Sequence, residues 1–303
     1  MSLLIEAKNV SHYFGSKQAL CDVNIELEAG KPIALVGPNG AGKTTLFSLI
    51  CGYLQPSKGS IKVLGHKPGN AALFGRLSAL PQDALLSPDF SVGEQLNLFA
   101  RLQGFSAKQA KLETQRVLEL VDLADTNSSR PNELSHGMKK RVCIAQALIG
   151  SPKLVMLDEA TAGLDPVNAR AIRELVSGLS EQTTFVLSSH DLSELERLCD
   201  RVLYLQKGKL VTHELHKDTA QVRYLTLQLR DQGEGVLAKL EALESVVEVS
   251  NSQRNEFVIG YNQGQATDAM DIQILQLCHQ HNWQYRALVN GHTLENQLFA
   301  NGG

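Results

Sequence analysis

Eight residues limit what this chain can fold into more than any others: Gly37-Pro38-Asn39-Gly40-Ala41-Gly42-Lys43-Thr44. They fit the pattern G-x-x-x-x-G-K-[ST], and their flanks fit as well. Lys31 to Val36 reads as a short apolar strand, and Thr44 to Ile50 reads as a helix. Strand, glycine-rich turn and helix in that order make a phosphate cradle. The glycines let backbone amides curl around an anion without Cβ clashes. The helix start adds its positive end. Gly37, Pro38, Asn39, Gly40, Ala41 and Gly42 are therefore the candidate cradle. Lys43 is placed to reach the β- and γ-phosphates, Thr44 to ligate Mg²⁺ through its hydroxyl, and Thr45 to add a phosphate contact.

A second element completes a chemical division of labour. Leu154-Val155-Met156-Leu157 is a continuous apolar run, as in a buried parallel strand, and it ends in Asp158-Glu159. Asp158 is suited to hold Mg²⁺ through water, and Glu159 to polarise an attacking water as general base. Two carboxylates after a strand say little alone. Beside a phosphate loop they point to nucleotide hydrolysis.

The rest of the chain reads as alternating elements. Val23, Ile25 and Leu27 alternate with polar neighbours, as in a half-buried strand. Glu94 to Leu102 and Ala107 to Leu123 have helical periodicity, with Leu112, Leu120 and Leu123 expected on one side. Residues from about 83 to 150 are thus expected to form a helical subdomain inserted into a doubly wound α/β core. Helix Pro166 to Leu179 and strand Thr183 to Ser188 continue that core. The character changes at Leu215 to Ala220. Beyond it the order βαββαβ predicts a small ferredoxin-like α+β domain, ending in a short helix from Thr293 to Phe299. The expected domains are 1–218 and 219–303, in keeping with about 150 residues per domain.

At this point the chain resembles the ATP-binding subunits of ABC transporters. Leu134-Ser135-His136-Gly137-Met138 is similar to the LSGGQ signature of that family, with Ser135 23 residues ahead of Asp158. His136 and Met138 depart from the pattern, whereas Ser135 and Gly137 keep it. Gln82, Ala162-Gly163-Leu164-Asp165 and His190 resemble the family's Q-loop, D-loop and switch histidine. Phe14, just before Gly15, matches the aromatic that stacks on adenine, with Tyr13 as the alternative. Ala160 stands where the family usually has proline.

The resemblance implies a P-loop NTPase fold with an antiparallel β subdomain and an inserted helical subdomain. It implies ATP and Mg²⁺ as ligands, and ATPase activity. Glu159, His190 and Gln82 would be catalytic, and Thr44, Gln82 and Asp158 would hold the metal. Ser135, Gly137 and Asp165 would meet ATP bound to another subunit, because the signature acts across a head-to-tail homodimer. The ending Thr293-Leu294-Glu295-Asn296-Gln297-Leu298-Phe299 is similar to that of ABC-2-type exporter ATPases, whose partner is a separate integral membrane permease. The alternative is a soluble ABC ATPase acting on DNA or ribosomes.

Composition narrows these readings. Lysine and arginine number 29 against 32 acidic residues, a net charge of −3, so no nucleic-acid partner is expected. No apolar run approaches the ~18 residues of a membrane span, and Met1 to Ile5 does not begin a signal peptide. The expected place is the cytoplasm, peripheral on the inner membrane face through the permease. Five cysteines, odd in number and without CxxC spacing, read as free thiols. His213 and His216 fall three apart, as on a helix face, and Cys278, His279 and His281 cluster at a helix end. Neither group has four ligands at a standard spacing, so no metal is expected besides Mg²⁺ with nucleotide.

Overall fold

The computed structural model describes residues 3–189, 195, 198–199, 201–214, 222–231, 233, 235–253, 255–262 and 270–290. Contacts divide the chain between His213 and Glu214, a few residues ahead of the expected boundary.

The first unit holds two sheets. Strands β1 (Leu3–Phe14), β2 (Lys17–Glu28) and β4 (Lys58–Val63) form an antiparallel sheet in the order β2-β1-β4. Val23, Ile25 and Leu27 are buried along β2 while their neighbours are not, which is the period-2 pattern seen in the sequence. The second sheet contains β3 (Ile33–Val36), β5 (Leu77–Leu80), β6 (Leu154–Asp158), β7 (Thr184–Ser188), β8 (Arg201–Gln206) and β9 (Lys209–Glu214). Its order is β5-β6-β7-β3-β8-β9, and the pairs from β5 to β8 are parallel. All residues of β3, β6 and β7 are buried, as continuous apolar runs require in a sheet covered on both faces. One core joins the two sheets through α1 (Lys43–Cys51): Ile5, Leu20, Leu35, Leu46, Leu49 and Leu154 pack in it.

Between β5 and β6 lie α2 (Val92–Leu102), α3 (Ala107–Leu120) and α4 (His136–Ala147). Ser91 with Glu94 and Ser106 with Gln109 form capping boxes that fix the starts of α2 and α3. The face expected for α3 needs correction. Leu112 is 60% exposed, and the buried residues are Ala110, Thr114, Val117 and Leu118. Thr114 can be buried because its hydroxyl donates to the Ala110 carbonyl at 2.8 Å. Helix α5 (Pro166–Leu179) starts and stops as the sequence suggests. No helix among the described residues is long and apolar enough to cross a membrane.

The second unit contains β10 (Val222–Leu229), β11 (Val246–Gln253), β12 (Glu256–Asn262) and β13 (Tyr285–Asn290), with helices Val236–Glu241 and Met270–Gln280 between strands. The sheet order is β11-β12-β10-β13 and every pair is antiparallel. This is the split β-α-β arrangement of a ferredoxin-like sheet. Leu227, Ile259, Leu240 and Ile274 form its core. His213 sits in strand β9, so the helical face imagined for it with His216 does not exist at that position. His216 and the segment 293–299 lie outside the described residues.

Candidate nucleotide site

The phosphate loop leaves the carboxyl end of β3, which only β7 separates from β6, the strand that ends at Asp158. Carboxyl ends of parallel strands are where open α/β sheets bind ligands. Gly37 adopts φ 151, and a Cβ there would meet the Leu205 carbonyl oxygen at 2.1 Å, so the loop passes too close to β8 for any side chain. Ala41 is buried, and its amide donates to the Pro38 carbonyl at 3.1 Å while its carbonyl accepts from Gly208 at 3.0 Å. Gly37, Pro38 and Ala41 therefore shape the loop.

Asn39, Gly40, Gly42, Lys43, Thr44 and Thr45 line a cleft of about 510 Å³, together with Phe14, Gln82, Asp158 and Glu159. Helix α1 begins after Gly42 at φ 109, with no side-chain cap and no acidic residue in its first turn. Its first amides are thus left for an anion. The buried Lys43 curls back, and its Nζ donates to the Gly37 carbonyl at 2.7 Å and to the Pro38 carbonyl at 3.4 Å. Among the described residues the Lys43 ammonium donates to two neutral carbonyls, and beside the helix-start amides it fits a nucleotide phosphate. The Thr44 hydroxyl and Asp158 carboxylate are hard oxygen donors, which fits Mg²⁺.

Strand β7, lying between β6 and β3, supplies the support for the acidic pair. The Ser188 hydroxyl donates a very short hydrogen bond to Asp158 Oδ1. The Glu159 amide donates to the Ser188 carbonyl at 3.1 Å and to Ser188 Oγ at 3.0 Å, and Glu159 takes φ 49. Gln82 Nε2 donates to Glu159 Oε2 at 3.1 Å. Burial pushes the Asp158 carboxyl above its usual range; the Ser188 hydrogen bond opposes this, Glu159 adds to it, Lys43 opposes it and Asp83 adds to it.

A carboxyl raised in the folded state contributes stability below its unfolded value, and that contribution is lost as pH rises through the folded value. At neutral pH the Asp158 charge is therefore a cost to folding. Asp158→Asn should raise the melting temperature of the nucleotide-free protein by on the order of a few degrees. It should also cut ATP hydrolysis by about a hundredfold or more. A lower melting temperature at neutral pH would refute the burial argument.

Phe14 lines the cleft and is half exposed, whereas Tyr13 does not line it. The His12 ring braces Phe14 edge-on, with centroids 4.7 Å apart. Sequence reasoning missed Lys17, Gln18, Ala19, Lys207 and Gly208, which also line the cleft. Lys207 at φ 48 and Gly208 at φ 77 form the two-residue turn between β8 and β9, and the Lys207-Gly208 pair between two strand-like runs was the available sequence signal.

The signature residues lie elsewhere. Ser135, Gly137 and Asp165 are not among the residues lining this cleft. Exposed Ser135 caps α4, accepting from the Met138 amide at 3.2 Å. Gly137 is buried beneath Asn168, whose side-chain atoms would lie 2.3 Å from a Cβ there. Asp165 caps α5, accepting from the Val167 and Asn168 amides at 3.0 Å, and also accepts from Asn168 Nδ2 at 2.6 Å. The amide and side chain of Asn168 hold its carboxyl below the usual range. The signature and the D-loop thus form one surface, tied together by Asn168. His190 lies outside the described residues.

Comparison with known proteins agrees with this geometry. The ABC transporter family matches residues 20–162. The Nod factor export ATP-binding protein I of Burkholderia lata is 36% identical over 210 residues, covering 68% of this chain and 69% of that protein. The linearmycin resistance ATP-binding protein LnrL of Bacillus subtilis is 33% identical over 211 residues, covering 69% of this chain and 68% of that protein. A solved ATP-binding subunit of an ABC transporter superposes with a TM-score of 0.63 at 30% identity, covering 70% of this chain and 90% of that one. The cbiO1 structure from Clostridium perfringens, part of the transporter complex cbiONQ, gives a TM-score of 0.64 at 25% identity, covering 71% of this chain and 89% of that one. Phosphate loop, acidic strand end, fold and relatives converge: the chain belongs to the ATP-binding subunits of exporter-type ABC transporters and is an ATPase.

Proposed function

We propose that the chain is the motor of an ABC-2-type membrane exporter, working as a head-to-tail pair of copies beside a separate permease. One observation carries this reading. A single chain gathers the phosphate loop, Gln82, Asp158 and Glu159 in one cleft but leaves Ser135 on a different, exposed surface. A second copy supplying Ser135 would complete the site.

The proposed roles combine this cleft with the family resemblance, which alone supplies that of His190. Phe14 stacks on adenine. The amides from Asn39 to Thr45 and the Lys43 ammonium hold the phosphates. Thr44, Gln82 and Asp158 would hold Mg²⁺, which would supply positive charge against the phosphates. Glu159 accepts a proton from the attacking water as Gln82 moves off its carboxylate. His190 donates to the γ-phosphate. Ser135, with the α4 helix start at Gly137, and Asp165 at the α5 start meet the ATP of the opposite copy.

The helical subdomain offers a place for the permease. A groove of about 530 Å³ runs beside Gln82, walled by Leu85, Leu86, Pro88, Pro131 and Cys143, and Leu85 is 91% exposed. Such an apolar groove suits a short amphipathic helix on the cytoplasmic side of a membrane protein. Relatives named for Nod factor export and linearmycin resistance, and a solved relative that is part of a transporter complex, support the exporter reading. No nucleic-acid partner is proposed.

The test is recovery of partners. Tagged Glu159→Gln is purified from native membranes in mild detergent with ATP, and co-purifying proteins are identified by mass spectrometry. A polytopic membrane protein in stoichiometric amount is expected. Recovery of soluble, ribosomal or DNA-bound partners alone would overturn the motor assignment.

A further inference from the structure

The signature helix and the Gln82 loop are joined by contacts that the roles above do not use. Lys140, in the second turn of α4, donates from Nζ to the Gln82 carbonyl at 3.3 Å. One helical turn on, Cys143 Sγ lies 3.9 Å from the Ala84 carbonyl. Residues three apart share a helix face. So α4 grips the main chain of this loop at two carbonyls. The Gln82 side chain turns toward the acidic pair, where its amide donates to Glu159 Oε2 at 3.1 Å. Glu159 itself is fixed from behind by its amide bonds to Ser188. Its carboxylate moves by side-chain rotation, and the Gln82 amide restrains that rotation.

We infer that Lys140 is a positioning residue: by anchoring the main chain at Gln82 to α4, it keeps the Gln82 amide on the Glu159 carboxylate in the resting chain. The inference rests on Glu159 being the base. That amide takes an acceptor position on the carboxylate that an attacking water would use. The resting contact therefore opposes turnover, and loosening the anchor releases the base. Lys140 also borders the apolar groove beside Gln82, so the anchor is open to whatever seats there.

Lys140→Ala and Lys140→Arg are compared in the full chain, alone and combined with Gln82→Ala. The readouts are kcat, KM for ATP, and amide hydrogen exchange across residues 80–88. Loss of one such hydrogen bond should raise kcat about threefold with KM unchanged. Lys140→Arg should restore the parent value, and the effect should vanish in the Gln82→Ala background. Exchange across 80–88 should quicken in Lys140→Ala and return in Lys140→Arg. An equal effect with and without the Gln82 side chain, a fall in kcat, or unchanged exchange would overturn the inference. A parent chain that never hydrolyses ATP would instead break the motor reading, and the exchange comparison still decides the anchor.

Discussion

Glu159→Gln binds ATP at least as well as the parent chain and turns it over about a thousandfold more slowly. The substitution removes the proton acceptor while changing little else. A glutamine carbonyl can still accept from Gln82 Nε2, which now stands 3.1 Å from Glu159 Oε2. The backbone bonds that fix residue 159 to Ser188 come from its main-chain amide and do not depend on the side chain. The neighbouring Asp158 gains, because Glu159 is one of the carboxylates that make it harder to ionise. With that like charge gone, one cause that pushes the Asp158 carboxyl up is removed. Binding survives and hydrolysis stops, so in the proposed head-to-tail pair ATP should remain at the joint between two copies. Size-exclusion chromatography with ATP should show a dimer for the variant, and a monomer when ADP replaces ATP. Hydrolysis at the parent rate would show that another group takes the proton.

The candidate cleft was legible where its lining residues lie close together in sequence. The phosphate loop needs glycines, lysine and threonine at fixed spacing after a strand, and that spacing places Asn39, Gly40, Gly42, Lys43, Thr44 and Thr45 in the cleft. The acidic pair was legible because β6 must be apolar on both faces until it reaches the sheet edge. What could not be read depends on contacts between distant segments. Lys140 and Gln82 are 58 positions apart, and no local pattern pairs them. Asn168 shields Gly137 from another helix, so the small residue in the signature has a packing reason within the chain. The error on α3 has a different source. Periodicity treats every leucine as a core residue, but exposed single leucines are ordinary, and Thr114 hid its hydroxyl in its own helix. The strand at His213 was misjudged because two histidines three apart say nothing of backbone until the flanking pattern is weighed.

Two inactive variants should recover activity when mixed. Lys43→Ala loses a buried cation that the loop holds at the Gly37 and Pro38 carbonyls, and with it a charge-assisted contact to phosphate worth about 2 kcal/mol. ATP affinity should fall by more than tenfold, and turnover with it. Ser135→Arg leaves the phosphate loop untouched, and a single chain should still bind ATP. It loses the hydroxyl that caps α4, about 1 kcal/mol, and sets a bulky side chain on the surface offered to the second copy. Hydrolysis should stop because the opposite copy's ATP can no longer be gripped. In a mixed pair, the Ser135→Arg chain brings an intact Lys43 and the Lys43→Ala chain brings an intact Ser135. One of the two joints is then whole. With random pairing half the dimers are mixed, so about a quarter of parent activity should return if each joint works alone. Recovery assigns Lys43 and Ser135 to one composite site built by two chains. No recovery in a sample where mixed dimers are shown to form would mean either that each chain completes its own site or that neither joint fires unless both are sound. A covalently linked pair carrying a single Ser135→Arg separates these: half activity belongs to the first case, and none to the second.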